Sequence, residues 1–244
     1  GLPEVNASHH LVFTGNPGTG KTTVARLVGR LYGAIGVVKK GHLVEATRAD
    51  LVAGYVGQTA LKTQEVVRKA IGGVLFIDEA YSLAQDTRWD FGAEAIATLV
   101  QLMETHRENL GVIVAGYTDE MRHFIDSNPG LRSRFTTYID FPDYTVAELV
   151  AIFEAMAERA KIRLGEGVTD KLRTQFASAG GVGNFGNARY ARTIFEHAYA
   201  NRAARAFEDG LIDRNEIEDL AVGDIPESVH GLVAEHRPIG FRAR

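Results

Sequence analysis

The chain has 244 residues, 45% of them hydrophobic, a formal net charge of −4 and no cysteine. Such a length holds one large domain with a smaller companion, while the missing thiols exclude disulfides, thiolate metal sites and cysteine nucleophiles. The charge lacks the basic excess of a general nucleic-acid binder, no apolar run nears the ~20 residues a bilayer requires, and a cysteine-free composition fits a reducing, cytoplasmic setting.

In chain order, His10 to Thr14 reads as a buried strand, followed by Val24, Leu27, Val28, Leu31 and Tyr32 at helical spacing. His42 to Ala46 is a second strand and Thr59 to Ala70 a helix. Val74-Leu75-Phe76-Ile77 is a continuous apolar run, as in a strand covered on both faces. Ala93 to Arg107 reads as a helix, Val112 to Ala115 as another buried strand, and Tyr138 to Phe141 as a fifth. Alternating strands and helices predict an α/β fold with a five-stranded parallel sheet over residues 1–142.

The pattern changes after Pro142. Thr145-Val146-Ala147-Glu148 has capping-box spacing, and a helix follows to about Ile162. Thr169 to Ala179 and Asn187 to Phe207 also carry helical patterning, and Asp213 to Glu216 opens a short last helix. Residues 143–222 are therefore expected to form a small helical domain, with 223–244 as a tail.

Gly15-Asn16-Pro17-Gly18-Thr19-Gly20-Lys21-Thr22 matches G-x-x-x-x-G-K-[ST]. Glycines let backbone N–H groups turn inward around phosphate oxygens, and the following helix adds its positive dipole end. Asn16, Pro17, Gly18, Thr19, Gly20, Lys21, Thr22 and Thr23 are the candidate nucleotide-binding residues. Lys21 is expected on the β and γ phosphates and the Thr22 hydroxyl on Mg²⁺. A bare glycine-rich turn would not need the strand before and the helix after.

Asp78-Glu79 closes the apolar strand. Asp78 is placed to hold Mg²⁺ beside the loop, and Glu79 to polarise the water attacking the γ phosphate of ATP. Without the upstream loop, the pair could equally be a helix cap.

With these motifs in view, the chain resembles the AAA+ ATPases, and within them the CbxX/CfqX group. The likeness rests on Phe13 to Thr23, Gly72 to Tyr81, Val114-Ala115-Gly116-Tyr117 and Asn128 to Phe135, and spans about residues 10 to 207. It implies a P-loop core with a C-terminal helical lid, and an ATP-hydrolysing motor that remodels or threads a protein substrate as a homo-oligomeric, hexameric ring.

Further roles follow from the resemblance. Leu131 to Phe135 looks like the arginine-finger segment, Arg134 being preferred over Arg132. Gly186-Asn187-Ala188-Arg189 resembles a sensor-2 motif, with Arg189 off the apolar helical face set by Ala191, Ile194, Phe195 and Ala198. Sensor 1 falls among Tyr117, Thr118 and Asp119, where the wider superfamily commonly has Asn. Gly54-Tyr55-Val56-Gly57 resembles an aromatic pore loop, with Tyr55 and Val56 as gripping residues, although Tyr55 could instead pack on its own domain. Asp86 to Phe91 is a weaker second pore loop. Relatives carry a helical segment ahead of the P-loop strand that helps enclose adenine; here that strand starts near residue 10, so the first domain is expected to be truncated.

Two other functions compete. A small-molecule P-loop kinase would need an acceptor site and no arginine in trans. A nucleotide-gated binding module with little hydrolysis, acting on DNA, is disfavoured by the acidic balance and the tyrosine loop.

Overall fold

The computed structural model describes residues 9–55, 57–85, 91–180, 186–206 and 218–227, in two compact units, Gly1–Pro142 and Asp143–Arg244. Val56, Asp86 to Asp90 of the second loop, and Asp213 to Glu216 lie outside the described residues.

The first unit holds a five-stranded parallel sheet in the order β2-β3-β4-β1-β5. Its strands are β1 (Leu11–Gly15), β2 (Leu43–Ala46), β3 (Val74–Ile77), β4 (Gly111–Gly116) and β5 (Thr137–Phe141). Alternate residues point to opposite faces, and both faces are covered. Val12, Leu75, Ile77, Val112 and Val114 enter one core, whereas Leu11, Phe13, Val74, Phe76, Ile113 and Ala115 enter the other. The first core receives α2 (Arg48–Leu51), α3 (Thr59–Ala70), α4 (Gly92–Thr105), α5 (Thr118–Asp126) and α6 (Pro129–Arg134). The second receives α1 (Lys21–Ala34).

Helix α1 departs from the expected face. Ala25 and Gly29 are buried and Val24, Val28 and Tyr32 pack on the sheet, but Leu27 and Leu31 are more than half exposed. The inward face is the one whose small residues allow close approach: a Cβ on Gly33 would lie 2.9 Å from the Gly41 Cα. Helices α2, α5 and α6 lie outside the expected elements: α2 and α6 are too short to show a period, whereas α5 buries Met121, Phe124 and Ile125 at helical spacing.

The second unit packs α7 (Val146–Arg159), α8 (Val168–Ala179) and α9 (Ala188–Ala206) around Phe153, Leu172, Phe176 and Ile194. The Thr145 hydroxyl accepts from the Glu148 amide and Glu148 accepts from the Thr145 amide, closing the capping box. No strand was expected here, yet β6 (Arg163–Leu164) pairs in parallel with β7 (Asp219–Leu220). Two residues are too few to show a period. Leu220, Asp224 and Ile225 are buried in this unit, so its packed part runs beyond residue 222.

Candidate functional site

Because the sheet is wholly parallel, the carboxyl ends of its strands lie along one edge, where ligands bind in open α/β sheets. The glycine loop follows β1, Asp78 follows β3, and Tyr117 follows β4, which lies between them. Sheet order therefore gathers three separate sequence motifs.

The loop is shaped by its glycines. Gly18 and Gly20 have φ of 77° and 93°, in the left-handed region. At Gly15 (φ 140°) a Cβ would sit 2.2 Å from the Phe141 carbonyl oxygen. Thr19 is buried and donates to the Asn16 carbonyl at 2.8 Å, tightening the turn. Lys21 Nζ donates to the Gly15 and Asn16 carbonyls, each at 2.7 Å, which folds its charge over the loop. Thr22 is half-buried at the start of α1, while Asn16 and Thr23 are exposed.

Asp78 extends the β2–β3 ladder, donating its amide to the Ala46 carbonyl at 3.0 Å. Glu79 is exposed and has φ 50° and ψ 42°, a strained conformation for a side-chain-bearing residue. Its amide donates to Asp78 Oδ1 at 3.1 Å. Hard oxygens from Thr22 and Asp78 suit Mg²⁺, and the inward-turned loop with its lysine suits a polyphosphate. The residues present thus fit a magnesium nucleotide.

Next along the chain, Tyr81 packs where Gly116 has no side chain; a Cβ there would be 2.6 Å from the ring. Burial, and then the charge of Glu79, pushes the Tyr81 hydroxyl up to about 12. Its ring lies 6.1 Å from that of Tyr117, the N-cap of α5. Of the three sensor-1 candidates, Tyr117 and Thr118 are half-buried, whereas Asp119 is exposed and paired with Arg122 at 3.3 Å.

A cavity of about 630 Å³ is lined by Thr47, Arg48, Val52 and Gly54 on one side and by Asp78, Glu79 and Ser82 on the other. Two of the lining residues are joined, Arg48 Nη1 donating to the Ser82 carbonyl at 2.5 Å. Tyr55 follows this wall and is 74% exposed, so it does not pack on its own domain. The adjacent Gly57 turns with φ 77°.

Arg134 is less available than a finger needs to be. Its side chain is 23% exposed, and Nη2 pairs with Glu104 at 2.9 Å. Nη1 donates to the Gly130 carbonyl at 3.2 Å. Arg132 is 63% exposed and pairs with Asp126 at 3.0 Å. In the second unit, Arg189 is exposed on the first turn of α9, whose buried side carries Tyr190, Ala191, Ile194 and Ala198.

Sequence reasoning assigned no role to Tyr81, Arg48, Glu104 or Asn187. Arg48 had a local signal, the Thr47 and Asp50 pair that starts α2: Asp50 accepts from the Thr47 amide and hydroxyl, both at 2.8 Å. Those bonds, the amide first, hold its carboxyl below the usual range. Glu104 had none, because its partner lies thirty residues away.

Comparison with known proteins agrees with this geometry. Residues 11–143 match the ATPase family associated with various cellular activities (AAA), and residues 145–233 match an AAA lid domain. The chain is 46% identical to stage V sporulation protein K of Bacillus subtilis over 84% of its length, and spans 65% of that protein. It is 45% identical to protein CfxQ of Xanthobacter flavus over 93% of its length, and spans 73% of that relative. Against the chloroplastic ribulose bisphosphate carboxylase/oxygenase activase of Cyanidioschyzon merolae the identity is 44%, covering 93% of this chain and 76% of the activase. Among solved structures, the FIGL-1 AAA domain shares the fold, with a TM-score of 0.62 at 18% identity, over 88% of this chain and 68% of that one. Among the described residues no helix is long and apolar enough to cross a membrane. A P-loop beside an Asp-Glu pair, a core and a lid each matched to this superfamily, and close likeness to CfxQ-type proteins together establish that the chain belongs to the AAA ATPase family, within the CbxX/CfxQ group, with ATP hydrolysis as its class of activity.

Proposed function

We propose that the chain is the motor unit of a homo-oligomeric ring that spends ATP to remodel a protein. Lys21 and the backbone N–H groups of the Asn16 to Thr23 loop, Pro17 excepted, bind the phosphates, and Thr22 and Asp78 would hold Mg²⁺. The metal, when bound, neutralises phosphate charge. Glu79 takes the proton of the attacking water, its carboxylate aimed by the left-handed backbone. Tyr117 and Thr118 line the γ-phosphate end, leaving Asp119 outside. Arg134 serves the neighbouring subunit's site once it leaves Glu104, and Arg189 contacts nucleotide from the lid.

The observation that carries a motor rather than a simple ATPase is the shared cavity. The segment that leads to exposed Tyr55 shares the cavity with Asp78 and Glu79, and Arg48 donates from that segment to the Ser82 carbonyl. Movement at Glu79 thereby has a short route to the loop that would grip an extended polypeptide. A protein substrate is supported by the relative whose name makes it an activase of a carboxylase. The test uses a Glu79→Gln form as a trap in the presence of ATP. Capture of a protein that is released on exchange to ADP supports the reading, and capture independent of nucleotide sinks it.

A further inference from the structure

We infer that Asn187 is a positioning residue for Arg189, fixing the start of α9 to the point where the chain enters the second unit. The inference rests on the proposed nucleotide contact of Arg189. Asn187 has no exposed surface and a left-handed φ of 48°, the conformation asparagine adopts most readily after glycine. Its side chain is used at both ends. Oδ1 accepts from the Tyr144 amide at 2.9 Å, and Nδ2 donates to Asp143 Oδ1 at 2.8 Å. Asp143 and Tyr144 are the first two residues of that unit. The Asn187 carbonyl accepts from the Ala191 amide, so the same residue starts the helix.

One side chain therefore joins the entry segment of the lid to the turn that carries Arg189, two residues on. A polar group this buried is costly without its partners, and two fixed bonds allow little rotation of the turn. A glycine would satisfy the backbone angle more cheaply, but it would release both bonds. The amide, rather than the conformation alone, accounts for asparagine here.

The test exploits the direction of the Asn187–Asp143 bond. Asn187→Asp sets two carboxylates together, while Asn187→Asp with Asp143→Asn restores a bond with donor and acceptor exchanged. Phosphate release is measured on the full chain as a function of ATP, with Mg²⁺ present. N187D is expected to raise KM for ATP about tenfold with kcat changed much less, since a charge-assisted bond is replaced by repulsion. The double variant should recover most of that loss, which a general packing defect would not. On an Arg189→Ala background, N187D should add nothing further. Full additivity, or absence of rescue, overturns the positioning role. An R189A variant with unchanged KM and kcat would instead remove the nucleotide contact on which the inference stands. If N187D does not fold, Asp143→Ala, at an exposed position, is read through the same cycle, with the same additive outcome counting against the inference.

Discussion

The amide of Glu79 donates to the carboxylate of Asp78 at 3.1 Å, and that bond accompanies a left-handed backbone at Glu79. The two acids differ in setting although they are adjacent in sequence: Asp78 is half-buried and Glu79 is exposed.

Glu79→Gln is expected to leave ATP binding intact and lower turnover by about 10²-fold or more. The bond to Asp78 comes from the backbone and survives the change. Nucleotide binding and phosphate release, measured on the same sample, separate the two effects; undiminished turnover would sink the catalytic assignment.

Arg134→Ala should reduce turnover by roughly 10³-fold at saturating ATP. Mixing it with Glu79→Gln chains should restore part of the rate, because a mixed ring of the proposed kind would place an intact Glu79 opposite an intact Arg134. No recovery on mixing would argue for action within one chain. Arg132→Ala is the control, and a larger effect there would transfer the role to the more exposed arginine.

Tyr55→Ala is expected to spare basal ATP turnover, since the side chain is exposed and leaves the catalytic carboxylates untouched. Nucleotide-dependent capture of the protein partner in the Glu79→Gln background should be lost. Equal capture would refute the gripping role.

His10 makes the first unit acid-sensitive. Burial, followed by the charges of His9 and Arg134, lowers its pKa to about 4, and Nδ1 accepts from the Val112 amide at 3.1 Å. The unfolded chain takes up the proton near pH 6.5 and the folded chain only near 4. Stability contributed by neutral His10 is therefore complete above 6.5 and is lost as pH falls through 4, a span worth about 3 kcal/mol. His10→Asn keeps an acceptor and should flatten denaturation midpoints between pH 6.5 and 4; an unchanged slope would show that other groups set it.

In the second unit, Asp224 is buried and accepts from Arg205 Nε and Nη2 at 3.0 and 2.9 Å, and from the Ala221 amide at 2.7 Å. Asp224→Ala should destabilise this unit by about 3 kcal/mol, because a partly covered guanidinium and an amide lose their acceptor. Thermal unfolding checks it, and a shift confined to the first unit would contradict it.

Much of this was legible because it is local. The loop, the Asp78-Glu79 pair and the buried strands announce themselves through glycine spacing and unbroken apolar runs. The inward face of α1 did not, because Leu27 and Leu31 fit the helical period as well as Val24 and Val28 do. Only the backbone approach of Gly33 to Gly41 decides between them. The Arg134–Glu104 pair and the Asn187 bonds join residues thirty or more positions apart, and charge alone does not say which acid an arginine meets. Strand pairing over two residues, as in β6 and β7, is likewise set by the packing around it.

Gly15 changes how a scan of the phosphate loop must be interpreted. It is paired with Phe141 in the β1–β5 register, and the space a methyl would need is filled by the Phe141 carbonyl. Alanine at 15 would push the edge strand away from its neighbour, whereas alanine at 18 or 20 would strain only the curve of the loop. Two glycine variants with the same dead phenotype would then report different injuries. One would dominate the melting curve of the empty protein, and the other would weigh more on the response to added nucleotide.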